Sequence, residues 1–252
     1  MSKHLQTIEK VVKLLASTNG RDKSTRIFQY LFRFLEAFLL KFAEGNNSPA
    51  LKDTASRFKK IASSMSLTRK VLRFGKELSL ATNLNQQIQR LQNPSQKITY
   101  NKDDNFWYIW LSIIRSIMGF NYMFCDHYIY FIKVGIVKKN AKLYSKLENF
   151  LNTSWLIESI LNMAQNFIEM RLSRTKVEEE IKNGEYTDKE VAEMNANLQN
   201  KLQTNYLTLF TCTLDATMAF GFLKKDCISF ILLDFIGVIT SLIGTHQAWP
   251  KQ

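Results

Sequence analysis

The side chains best suited to hold a metal ion or move a proton are His4, His127 and His246, together with Cys125, Cys212 and Cys227. The histidines stand far apart in sequence, and the cysteines form no CxxC pair and have no histidine cluster beside them. Neither a zinc site nor a disulfide framework is indicated, and a reducing compartment is expected. Asp126-His127 places an acid next to a base, but neighbours on a helix point about 100° apart. The pair therefore reads as a polar interruption of an apolar helix rather than a catalytic couple. GxGxxG, HExxH, GxSxG and the phosphate-loop pattern are all missing, so no enzyme, cofactor or metal is expected.

The remaining chemistry is electrostatic. The chain has 252 residues, with 34 Lys+Arg against 22 Asp+Glu and a formal net charge of +12. Residues 1–102 hold 19 of the cations and 6 of the acids, leaving 15 and 16 for residues 103–252. A basic first part joined to a neutral second part suits either nucleic acid or an anionic membrane. The basic residues alternate with large apolar ones, no nucleic-acid reader motif occurs, and the second part is lipid-like in composition. An anionic phospholipid membrane is thus the expected partner, with no nucleic acid.

The elements that carry these residues read as helices throughout, because 3 Pro and 9 Gly leave few breaks in a chain that is 46% hydrophobic. Leu5, Ile8, Val11, Val12 and Leu15 mark a short amphipathic helix ending before Asn19-Gly20. A second helix runs from about residue 21 to 44, with Gly45 as its stop. A third stretch covers roughly 50–92 and ends at Asn93-Pro94-Ser95. Within it, Leu67, Val71, Phe74, Leu78 and Ala81 fall near one line, Arg69, Arg73 and Lys76 project from the other side, and Lys70 borders the stripe. Such a stripe either packs into its own domain or lies in a membrane interface. In the second case each buried side chain contributes up to about 1.5–3 kcal/mol, and each nearby cation roughly 1 kcal/mol more.

Beyond residue 103 the pattern changes to long apolar runs at 106–137, 155–170, 206–223 and 227–245. The first holds ten aromatic residues in 32, dense enough for a lipid–water boundary. The last has Asp234 as its only charge and is the cleanest candidate to span a bilayer. Asp126, Glu158, Asp215 and Asp234 interrupt these runs, so the helices either bundle with their acids inward or sit partly in water. Residues 171–203 are charged and include Glu178-Glu179-Glu180, reading as a solvated helix or mobile linker. The expected architecture is all-α: basic amphipathic helices over 1–102 facing the cytosol, then a membrane-embedded region over 103–252 built from about four apolar helices. No cleavable export signal is read in residues 1–13, which mix charges with short apolar runs.

Gly20-Arg21-Asp22-Lys23 with Arg26 and Gln29-Tyr30 forms one block, and Arg69-Lys70-Val71-Leu72-Arg73-Phe74-Gly75-Lys76 a second. The third is Gly237-Val238-Ile239-Thr240-Ser241-Leu242-Ile243-Gly244 with Trp249. In this order they resemble the peroxisomal membrane protein 11 (peroxin 11) family. The resemblance implies a non-enzymatic protein of the peroxisomal membrane that promotes elongation and division of the organelle. It also implies self-association into a homo-oligomer, recruitment of division factors and, as for some members, a pore-like role for small metabolites. The family's inserting amphipathic helix matches residues 66–84 here. Leu67, Val71, Phe74 and Leu78 are accordingly expected to enter the cytosolic leaflet, and Arg69, Lys70, Arg73 and Lys76 to bind headgroups. The 20–30 block reads as structural. Two rival classes stay open: a channel lined by Asp126, Asp215 and Asp234, and a soluble helical adaptor that hides 106–137 and 227–245 in a core. Both termini are expected in the cytosol, following the positive charge of the first part.

Overall fold

A computed structural model of the protein describes residues 3–46, 48–92 and 105–250. Among these residues there are eight helices and no strand. They are α1 (Lys3–Ala16), α2 (Thr18–Asn46), α3 (Pro49–Leu72), α4 (Lys76–Gln92), α5 (Phe106–Lys133), α6 (Ala141–Asn183), α7 (Asp188–Leu223) and α8 (Phe230–Gln247). The all-α expectation holds. Asn93-Pro94-Ser95, expected to close the third stretch, lies outside the described residues.

Local chemistry sets the starts of these helices. The first backbone N–H groups of a helix have no partner within it, and a short polar side chain can accept from them. Asn105 accepts from the Tyr108 N–H, Asn140 from those of Lys142 and Leu143, and Ser229 from that of Leu232. Thr187 and Glu190 form a reciprocal capping box at the start of α7. Pro49 opens α3, where its missing N–H costs nothing.

Two sequence expectations need correction here. The first helix ends at Ala16, before Asn19-Gly20 as expected, but α2 starts at Thr18 rather than near residue 21, with Gly20 in its first turn. A Cβ on Gly20 would stand 1.9 Å from the Leu14 carbonyl oxygen, so this close turn requires glycine. The 50–92 stretch is likewise two helices rather than one. Gly75 adopts φ +87°, which an L side chain rarely tolerates. Its N–H donates to the Glu77 carboxylate as α4 begins.

The helices form a ring. In order around it, α3 packs on α2, α2 on α8, α8 on α7, α7 on α6, α6 on α5 and α5 on α4, and α3 touches α5 to close the circuit. α1 rests on α2. Residues 171–183 of α6 and 188–203 of α7, where the charged linker was expected, are the outer ends of two long helices joined by a turn at 184–187.

The ring is polar inside. Among the described residues, 20 polar or charged side chains are buried against 17 apolar ones. The apolar core is small, with Tyr30, Met218, Leu233 and Ile236 at its centre and Trp155 and Phe222 beside them. Along α5 the outward side carries Phe106, Trp110, Ile114, Ile117, Phe120 and Phe124 at helical spacing, all exposed. A water-soluble protein arranges these two classes the other way, and a continuous exposed apolar face calls for lipid or a partner. α7 and α8 are long and apolar enough to cross a membrane; the 18 residues of α8 reach about 27 Å at 1.5 Å per residue.

Candidate functional site

The elbow between α3 and α4 turns its apolar side chains out and its cations in. Val71, Phe74 and Leu78 are 48%, 45% and 73% exposed, and Leu67 is half-buried. Arg69, Lys70 and Arg73 are only 7–8% exposed. The bend explains the split. With a left-handed residue at Gly75, Leu78 belongs to a new helix axis, and residues 67–78 cannot form a single stripe.

The inward cations meet two carboxylates brought by other helices. Asp22 of α2 accepts from Arg69 Nε at 3.1 Å and Arg73 Nε at 3.2 Å, and lies 3.5 Å from the Lys76 ammonium. Asp126 of α5 pairs with Lys70 and accepts from Arg73 Nη1 at 3.1 Å. Gln29 and the Tyr122 hydroxyl complete the set, accepting from Arg69 at 2.7 Å and Arg73 at 3.2 Å. The structure thus places three of the four residues expected at lipid headgroups inside the protein. Only Lys76, with its side chain 33% exposed, stays at the edge.

The same network holds the block at residues 20–30 against the last helix. Arg26 donates to Asp215 at 2.8 Å and to the Thr240 hydroxyl at 3.1 Å. Arg33 pairs with Asp234 at 3.0 Å, and both guanidinium groups lie within about 5.6 Å of the Tyr30 ring. A Cβ on Gly237 would come within 2.4 Å of Tyr30, so only glycine lets α8 approach α2 this closely. Three sequence blocks more than 200 residues apart at their extremes therefore meet at one place.

Charge balance dictates how these groups ionise. Burial alone would raise the Asp22 carboxyl, but Arg73, Arg69, Lys76 and Lys23 outweigh it and hold the group at about 2. Burial, joined by repulsion from Arg26, pushes Lys23 down to about 8 despite Asp22 and Asp215. Arg69 falls to about 10 through burial and the neighbouring Arg73.

These residues line a cavity of about 500 Å³ inside the ring, reaching from Asp22, Lys23 and Arg26 to Lys133 and Lys225. Asp126 and His127 diverge as adjacent helical residues should: the acid faces Lys70 and Arg73, while the imidazole pairs with Glu77 and stacks on Phe74 at 4.1 Å. Among the described residues no three His, Cys, Asp or Glu side chains gather as a metal site would need. Cys125, Cys212 and Cys227 are free thiols.

Asp22, Gln29, Tyr122 and Thr240 escaped the sequence reading as partners of the basic set. The available signal was Asp126, an acid inside an apolar helix that needed a cation from elsewhere. The apolar stripe expected for the first helix, with Leu5, Ile8, Val12 and Leu15, is exposed on the outer face of α1.

A family model described as Peroxisomal biogenesis factor 11 (PEX11) matches residues 8–249. The chain is 29% identical to peroxisomal membrane protein PMP30B of Candida boidinii over 96% of its own length and 94% of that protein's. It is 25% identical to the peroxisomal membrane protein 11 homolog of Dictyostelium discoideum, covering 98% and 96% of the two chains. With peroxisomal membrane protein 11B of Arabidopsis thaliana it shares 24% identity over 98% and 99%. No solved structure matches.

Proposed function

The chain belongs to the Peroxisomal biogenesis factor 11 (PEX11) family, and from that premise we propose that it remodels and elongates the peroxisomal membrane by wedging the α3–α4 elbow into the cytosolic leaflet. The observation that carries this reading is the inverted elbow. Val71 and Leu78 face outward, Phe74 is half exposed with its other face stacked on His127, and the adjacent cations are satisfied within the ring. An apolar projection held on a charged internal clamp is poorly suited to water and well suited to the boundary of headgroups and acyl chains. Leu67 flanks the projection and Lys76 meets the headgroups at its edge. Arg69, Lys70 and Arg73 act from within by keeping the bend in place.

Side chains inserted about 5–10 Å into one leaflet expand it relative to the other and favour positive curvature. No catalysis is needed for this work. Copies of the chain associate in the membrane, gather division factors and keep both termini in the cytosol. The polar cavity gives some support to the alternative, a pore for small metabolites. However, Asp126, Asp215 and Asp234 each face a lysine or arginine, an arrangement that favours a charge-paired frame over an open acidic path.

The test uses the full-length chain reconstituted with anionic liposomes. Leu78→Asp changes a residue that is largely exposed and should leave the fold intact. It is expected to reduce tubulation several-fold. Undiminished tubulation by a correctly inserted L78D protein overturns the wedge.

A further inference from the structure

We propose that the cavity inside the helical ring binds a phosphate-bearing anion, with Lys23 and Arg26 taking its charge at the inner end and Lys133 and Lys225 at the mouth. The inference goes beyond the leaflet wedge and does not depend on it. A volume of about 500 Å³ lies within the range of small-molecule sites, roughly 300–1,000 Å³. Nine lysines and arginines line the cavity against four carboxylates. Asp215 and Asp234 pair with Arg26 and Arg33 without lining it, and even with them included the cations remain in excess.

That excess is specific to certain side chains. Lys23, Lys133 and Lys225 make no hydrogen bond or ion pair among the described residues, whereas Arg69, Lys70 and Arg73 are committed to Asp22 and Asp126. Arg26 is 8% exposed, and its buried Nε has no acceptor among the described residues. Lys23 is half-buried and Lys133 and Lys225 are exposed at the mouth, so these ammonium groups remain available to an incoming anion, and a charge-assisted contact there is stronger than a neutral one. Several separated cations favour an anion with several oxygens, and a guanidinium matches phosphate geometry well. Tyr30, Trp155 and Phe222 supply the apolar part of the wall. The source of the phosphate is either a soluble ester or a phosphorylated lipid headgroup.

Binding should also depend on pH through Lys23, which titrates near 8 among Asp22, Arg26, Arg69, Asp215 and Glu158. An anion favours the charged ammonium, so affinity falls as pH rises through about 8.

Calorimetry on the full-length protein in detergent, with inorganic pyrophosphate as the probe at pH 7, tests the site. Saturable binding is expected, weakened at least tenfold by Lys23→Met and by the exposed double change Lys133→Gln/Lys225→Gln. The alkaline loss should vanish in K23M. Lys52→Gln/Lys60→Gln, on the outer side of α3, should leave binding unchanged. A second arm measures association with phosphatidylcholine vesicles containing phosphatidylinositol 4-phosphate. Displacement by pyrophosphate assigns the cavity to a lipid headgroup, and pyrophosphate binding without displacement assigns it to a soluble ester. The absence of saturable binding overturns the proposal, as does binding that K23M and the rim variant leave intact or that K52Q/K60Q weakens equally. Liposome tubulation is read separately, so loss of the anion site is distinguished from loss of remodelling.

Discussion

Charge is concentrated in two regions of the molecule, and the same residue types do different work in each. Around Asp22 and Asp126 the pairs join α2, α3 and α5, with Arg69, Lys70 and Arg73 buried, only Lys76 at the edge, and tens of residues separating the partners in sequence. At the outer end of the α6–α7 hairpin the pairs are local and wet: Lys176 and Glu180 stand one helical turn apart at 3.7 Å, both about half exposed. A buried pair that loses one member leaves the other charge stranded without water, whereas an exposed pair simply hydrates. Energetic weight thus follows burial rather than the number of ion pairs.

The contrast is broken most severely at Asp22. Asp22→Ala strands Arg69 and leaves Arg73 to Asp126 alone, and a loss of about 3–5 kcal/mol is expected; denaturant unfolding in detergent measures it. Acid gives a milder version. Because the folded-state carboxyl sits at about 2, against 3.8 for a free aspartate, its contribution is present above about pH 4 and is lost as pH falls through 4 to 2. The loss amounts to about 2 kcal/mol. Unfolding curves at pH 5 and pH 2.5 should show it in the parent and not in Asp22→Asn. At the other extreme, Glu180→Ala at the hairpin end should change stability by no more than about 0.5 kcal/mol. A loss comparable to that of D22A would mean that the hairpin end is packed more tightly than its exposure indicates.

Much of the helix plan was legible from periodicity. The apolar positions at 5–15 and the stretch from 21 to 44 lie within helices, as does the 106–137 run up to Lys133, and residues 171–203 are helical on both sides of a short turn. The elbow was not legible, because Gly75 sits amid good helix formers and an isolated glycine inside a helical pattern does not by itself mark a break. Periodicity also located Arg69 and Arg73 opposite the apolar line, with Lys70 at its border, without saying which side faced inward. In water the apolar side goes in, and the cations would be the solvated face. Here the interior holds carboxylates contributed from 47 and 56 residues away, so the polarity is reversed. A pairing at that separation leaves no mark in a local pattern, and only Asp126, isolated in an apolar helix, hinted at it.

α6 and α7 are much longer than a bilayer core requires. With the apolar turns at 206–223 in lipid, residues 188–205 of α7 carry the helix roughly 27 Å further. Electrostatic influence in physiological salt fades over about 8 Å. Glu178, Glu179 and Glu180 near that far end are therefore screened from the phospholipid surface. A change of charge at the tip leaves the attraction between the rest of the molecule and anionic lipid as it was.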